Sequence, residues 1–162
     1  MSKGDMHLRI EGKSTGAIRG ESNVASHIGE IEVREWSWGM SAASGLGGIG
    51  AASRAALSEI RITKGVDSAS TALMSVMRNN EQIKKAVLSV RKSGGSPAID
   101  YLVITIERGR ITAFDIGTAS PDSPELVERL SIAFEKIDIA YSSQDDKGGK
   151  KAASSFTAEI AG

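Results

Sequence analysis

Gly45-Leu46-Gly47-Gly48-Ile49-Gly50 reads G-x-G-x-x-G, the spacing with which a tight glycine turn delivers a pyrophosphate to a helix N-terminus. Asp67 follows at roughly the separation of a ribose-binding acid. Such a fingerprint sits directly on the end of a buried strand, yet Ser41–Ser44 intervene here, and no alternation of strands and helices follows. In a chain with 18 glycines the pattern arises from composition, so no cofactor is expected. His7 and His27 are the only imidazoles. His7 reads as an outward residue of a strand and His27 as a residue near a turn, both as exposed polar side chains. No serine or carboxylate stands at a spacing that ties it to either as a nucleophile or orienting acid. The two do not form a metal-ligand pair at helical spacing, and the absence of cysteine excludes thiol catalysis, thiolate metal sites and disulfides. These residues predict neither an enzyme nor a metal protein.

The elements that carry them read mainly in period two. The 162 residues suit one domain over 1–162, with 40% hydrophobic and 25% charged residues. Met6, Leu8 and Ile10 alternate with His7 and Arg9, as a half-buried strand does. Ile31 and Val33 begin a second strand that runs to Trp36 and Trp38, and the apolar parity slips between Val33 and Trp36, the mark of a β-bulge. Leu57, Ile60 and Ile62 show the same slip. Ala86–Val90, Ile99–Ile106 and Arg110–Ile116 continue the sheet, with Gly94-Gly95 as a turn. Leu130, Ile132 and Phe134 hold one parity and Ile137, Ile139 and Tyr141 the other, predicting one long strand bulged near Glu135-Lys136. Bulged, bent strands of this kind predict an all-β fold: a compact β-barrel of two roughly orthogonal sheets.

One helix is expected at about 68–79. Asp67, Ser68 and Ser70 offer N-caps, Ala69, Leu73, Val76 and Met77 recur at helical spacing, and Asn79-Asn80 provides a stop. Ser142–Ser155 reads as a flexible, solvated linker before a short terminal strand around Phe156 and Ile160. The stretch from Gly39 to Arg54 is a long loop of Gly, Ala, Ser, Leu, Ile and Met with no charge before Arg54. Exposed loops are usually polar, so this one should lie against a protein surface.

Twenty basic residues balance twenty acidic ones, which gives no basic surplus for nucleic-acid binding. No run approaches the ~18 apolar residues of a membrane span. Met1–His7 is polar and lacks a signal peptide's apolar core, which predicts a chain that stays in the cytoplasm unless exported by a route that ignores signal peptides. Lys84 and Lys85 with Arg91 and Lys92 read as a modest basic cluster on one hairpin, either a solvated rim or a charged subunit contact. Trp36 and Trp38, two residues apart on one strand face, read as core anchors together with Leu73, Tyr101 and Phe134.

Several segments in order resemble one family. They are Gly20-Glu21-Ser22, Ile31-Glu32-Val33, Trp36-Ser37-Trp38-Gly39-Met40-Ser41, Thr63-Lys64 with Val66-Asp67, Lys84–Lys92 followed by Gly94-Gly95, Asp100-Tyr101-Leu102-Val103-Ile104, and Leu130-Ser131-Ile132-Ala133-Phe134. Together, from about Met6 to Tyr141, they resemble the haemolysin-coregulated (Hcp) tube proteins of bacterial type VI secretion. The resemblance implies a β-barrel with one flanking helix, a homohexameric ring, and stacking of rings into a hollow tube. It implies that the tube is expelled by a contractile sheath beneath a VgrG-type spike, with secreted effectors in the lumen, and no catalysis. It also implies that the extended loop 39–54 reaches a neighbouring subunit or ring, which gives Met40, Ser41, Leu46, Ile49 and Arg54 a role in stacking or subunit contact. A monomeric β-barrel module binding another protein through the same loop is the alternative. The family's helix often starts on a proline, and Asp67–Thr71 has none.

Overall fold

The chain folds around one very long strand. In the computed structural model, which describes residues 5–42, 55–92, 99–144 and 150–160, the elements run in order. β1 is Met6–Gly12, β2 Gly16–Ile18, β3 Ile31–Ser37, β4 Met40–Ser41, β5 Ala56–Leu57 and β6 Ile60–Gly65. After helix α1 (Ser70–Arg78) come β7 (Ile83–Arg91), β8 (Asp100–Ser120), β9 (Ser123–Ala133), β10 (Lys136–Gln144) and β11 (Lys150–Glu159). The 21 residues of β8 serve two sheets. Their first half pairs with β7 on one side and β10 on the other, and their second half pairs with β9. Neighbouring pairs then run β7–β1–β3–β6–β9 and return to β8, so the sheet closes into a barrel with β10 and β11 appended to it. Closure leaves the barrel strands from β7 to β9 without a free edge, and β11 carries the outer edge of the appended pair.

Gly109 makes the change of partner possible. A Cβ there would stand 2.8 Å from the Ala133 carbonyl oxygen and 3.3 Å from Ile132 Cγ2, so only a bare α-carbon fits between the crossing backbones. The core fills the barrel with inward β-branched and leucine side chains, Leu8, Ile10, Ile31, Ile62, Leu88, Ile106 and Ile132 among them. Leu73 and Val76 carry the buried stripe of α1 into the same core. Ala69 occupies the N-cap of α1 and cannot cap; the Asp67 carboxylate accepts the Ala69 N–H instead, at 3.0 Å. Asn79 is the C-cap, and Asn80 follows with φ of 52°, a left-handed conformation that asparagine tolerates.

The expected bulge in β3 is present: the register against β6 shifts between Val33 and Glu35. The slip between Leu57 and Ile60 has a different cause. It separates two strands in two sheets, since β5 pairs only with β4 whereas β6 pairs with β3 and β9. The long bulged strand expected from Leu130 to Tyr141 is two strands, β9 and β10. Across the break they keep one register along β8, Ala133 opposite Arg110 and Lys136 opposite Glu107, with Phe134 and Glu135 between them.

The linker expected over 142–155 is corrected at both its ends, while residues 145–149 lie outside the described residues. β10 continues to Gln144 and β11 begins at Lys150, pairing as far as Lys136 opposite Glu159. Small, polar residues read as a linker on composition, but the cross-strand hydrogen bonds of a long hairpin organise them without a large apolar side chain. The Gly94-Gly95 turn lies outside the described residues.

Candidate functional site

The residues expected to carry contacts fall into three places. Beyond Trp38 the chain leaves the barrel through a two-stranded stem, β4 against β5, in which Met40 pairs with Leu57 and Ser41 with Ala56. Ser58 clamps its base. Its Oγ accepts the Gly39 N–H at 2.9 Å, and its own N–H donates to the Gly39 carbonyl at 2.9 Å. Met40 is 53% exposed and Ser41 is exposed. Leu46, Ile49 and Arg54, like the G-x-G-x-x-G stretch, lie outside the described residues. At the root of the stem an open hollow of about 390 Å³ is lined by Trp38, Met40, Leu57 and Arg61 among others. The ring of Phe156, on β11, lies 6.4 Å from that of Trp38.

The five anchors divide. Leu73 and Phe134 are buried in the core, while Trp36, Trp38 and Tyr101 are half-buried and pack against its outside. The indole N–H of Trp38 is buried with no hydrogen-bond partner among the described residues. Tyr101 meets Tyr141 edge-on at 6.3 Å, across the β8–β10 pair.

The basic cluster is not one cluster. Lys84 and Lys85 sit at the start of β7, Arg91 at its far end and Lys92 just past it, a separation of ~20 Å at the usual rise per strand residue. Lys84 lies 3.7 Å from Glu11, an exposed pair. Alternating faces and the length of the strand, not sequence proximity, set which charges meet.

Two buried polar groups escaped the reading of the sequence. Lys64, fully buried, donates to Glu128 Oε1 at 2.9 Å, Asp67 Oδ1 at 2.9 Å and the Gly65 carbonyl at 2.8 Å. Glu128 is also fully buried and accepts a short hydrogen bond from the Ser70 hydroxyl, tying β6, β9 and the first turn of α1 together. The signal was available: Lys64 continues the inward parity of Ile60 and Ile62, and Glu128 that of Leu130 and Ile132.

The second group is the histidines. His7 and His27, expected to be exposed, are both buried, and their rings stack at 4.6 Å with planes 6° apart. His7 shares a strand face with the exposed Arg9; it is buried because the His27 ring of the β2–β3 connection stacks on it, a long-range contact that period two does not encode. No group of three or more His, Asp or Glu side chains suited to a metal ion occurs among the described residues. No helix among the described residues is long and apolar enough to cross a membrane.

The barrel closed on a long bent strand, with one helix and a stem projecting after Trp-Ser-Trp-Gly, has known counterparts. Residues 7–141 match the protein family described as "Type VI secretion system effector, Hcp". The chain belongs to the Hcp family. A curated relative, Protein hcp1 of Pseudomonas aeruginosa, is 30% identical over 148 residues, covering 90% of this chain and 88% of that protein. A crystal structure of a type VI secretion system effector from Yersinia pestis is 27% identical, covers 96% of this chain and 100% of its own, and superimposes with a TM-score of 0.74. Hcp1 from Salmonella typhimurium, 20% identical over 94% of each chain with a TM-score of 0.69, shares the fold. As an Hcp-family chain it is a type VI secretion protein of a structural rather than an enzymatic family.

Proposed function

We propose that this chain is a subunit of the type VI secretion tube, forming homohexameric rings that stack into a hollow conduit for effectors. The stem carries the reading. An Hcp barrel whose β4–β5 pair leaves Met40 exposed and brackets a sequence with no charge from Gly39 to Ser53 offers an apolar segment for a protein surface to cover. A neighbouring copy is the partner the family offers. A heterologous contact of this kind closes into a ring or extends along an axis, and a tube requires both. On this reading the rings assemble in the cytoplasm, engage a VgrG-type spike and the contractile sheath, and leave the cell with the tube rather than through a signal peptide. The role needs no catalysis.

Light scattering of the purified chain, with negative-stain images of the same peak, tests it. Open rings of six times the 17.0 kDa chain mass are expected. A 17.0 kDa monomer persisting at high concentration overturns the tube reading and turns the loop toward a different protein partner.

A further inference from the structure

The connection between β2 and β3 is held to the barrel by a cluster that the tube function does not use. Its backbone forms a small closed loop: Gly20 N–H donates to the Gly29 carbonyl at 2.8 Å, Ser22 N–H to that of Glu30 at 3.0 Å, and Gly29 N–H to that of Ser22 at 2.8 Å. At the tip two neighbours part company. Ile28 is 72% exposed, whereas His27 turns inward onto the His7 ring. Both ring nitrogens of His27 face carboxylates, Nδ1 that of Glu30 at 3.0 Å and Nε2 that of Asp100, at the start of β8, at 3.0 Å. A carboxylate only accepts, so both contacts are hydrogen bonds when both nitrogens carry protons. His7 is the opposite case. It is fully buried, and neither ring nitrogen has a partner among the described residues.

We infer that the His7–His27 stack, with Glu30 and Asp100, is a proton-operated latch that holds the 20–30 connection closed near neutral pH and releases it in mild acid. The closed latch needs His7 uncharged, because a proton on its buried ring, stacked 4.6 Å from the His27 ring, would have neither water nor a hydrogen-bond acceptor among the described residues. Every element around His7 bears on this. Its cross-strand neighbours are Ser89 of β7, buried, and Glu32 of β3, exposed. The charge of Arg91, at the end of β7, adds to the repulsion from His27, while Asp100 and Asp5 oppose it. Burial is the largest effect, and together these hold His7 down at about 4 from an ordinary 6.5. When the connection lifts away, His7 regains water and takes its proton at the ordinary value. Acid therefore drives opening, and opening moves the exposed Ile28 across the surface.

The test is hydrogen exchange of the full chain at pH 7 and pH 5, with protection factors corrected for intrinsic rates. Between those values the amides of Gly29 and Glu30 should lose protection on the order of twentyfold, from the interval between about 4 and 6.5 over which only the open form binds the proton. Amides of β6 should keep theirs. His7→Phe retains a stacking ring without a titrating nitrogen, and its Gly29 and Glu30 protection should not change with pH. Equal losses in His7→Phe and the parent overturn the latch, as does no loss in the parent. Should His7→Phe not fold, the ring signals of the parent decide by nuclear magnetic resonance: a His7 that titrates near 6.5 in the folded chain overturns the proposal, and one that titrates well below it supports the latch.

Discussion

Arg108 stands in the left-handed region, φ 52°, directly beside the break at Glu135, and donates from Nε to Glu135 Oε2 at 2.7 Å. The Glu135 N–H in turn reaches the Glu107 and Arg108 carbonyls, both at 3.2 Å. The two residues therefore share one irregularity, the point at which β8 changes from a strand paired with β10 to one paired with β9. Arg108 also donates to Glu159 at 2.6 Å, which draws the end of β11 to the same corner. Exposed ion pairs of this kind contribute about 0–1 kcal/mol each, whereas a left-handed non-glycine residue costs roughly 1–2 kcal/mol. Arg108→Ala keeps the backbone cost and loses the pairs; Arg108→Gly loses both. We expect the glycine variant to be more stable than the alanine variant by about 1 kcal/mol, as measured by urea unfolding. Equal stabilities would mean that the strain is not real.

Lys64 and Glu128 give the largest expected single-site effect. Removing one member of a fully buried pair leaves an uncompensated charge, which costs about 3–5 kcal/mol. Lys64→Met should therefore lower stability by that order. Pairing it with Glu128→Leu should recover much of the loss, since the two buried charges then leave together and the groups that lose a partner are the partly exposed Asp67, the Gly65 carbonyl and the Ser70 hydroxyl. Ser70→Ala should cost less, on the order of 1–2 kcal/mol, through the Glu128 oxygen it leaves without its hydroxyl donor. Thermal and chemical unfolding of the four chains check this. A double variant no more stable than Lys64→Met would show that the cluster is held by something other than the ion pair.

The barrel was legible in the sequence where one face of a strand is covered and the other is wet. β3, β6 and β9 alternate clearly, and the slip at Val33–Trp36 marked a real bulge. Legibility failed where a connection far along the chain covers one residue of an otherwise wet face, as His27 covers His7, or where backbone pairing alone orders polar residues, as from Lys150 to Ser155. It also failed at Lys64 and Glu128, where hydrophobicity and parity disagree and parity was the better guide. The linear proximity of Lys84 and Arg91 suggested a patch, but an extended strand carries its ends apart.

The buried histidine sets a pH dependence whose sign is fixed. Because burial first, and the charges of His27 and Arg91 after it, lower the proton affinity of His7 in the folded chain, the unfolded chain binds a proton from about 6.5 downward that the native chain refuses until about 4. Unfolding is then favoured as pH falls through that window, at up to about 1.4 kcal/mol per pH unit, and this contribution is flat above 6.5. His7→Phe should remove the slope between about 6.5 and 4 while leaving the acid unfolding caused by carboxylates below it. Urea midpoints across pH 4 to 7.5 for both chains measure it. A slope unchanged by the substitution would assign the effect to other groups.

The loop on the β4–β5 stem supplies the last prediction, which rests on the tube reading. Leu46 and Ile49, which lie outside the described residues, are the largest apolar side chains of an uncharged stretch that the β4–β5 pair brackets. If the loop is covered by a neighbouring ring, a carboxylate at each position is carried into an apolar contact without a partner, a burial that costs several kcal/mol and is repeated in every subunit. On the tube reading the combined variant Leu46→Asp with Ile49→Asp should keep the circular dichroism and melting temperature of the parent, because the contact it removes lies between copies and not within one chain. It should also lose the long stacks seen by negative stain. Single rings that persist without stacks would place the loop between rings, whereas monomers would place it between subunits of one ring. Tubes as long as those of the parent would remove the loop from the contact altogether.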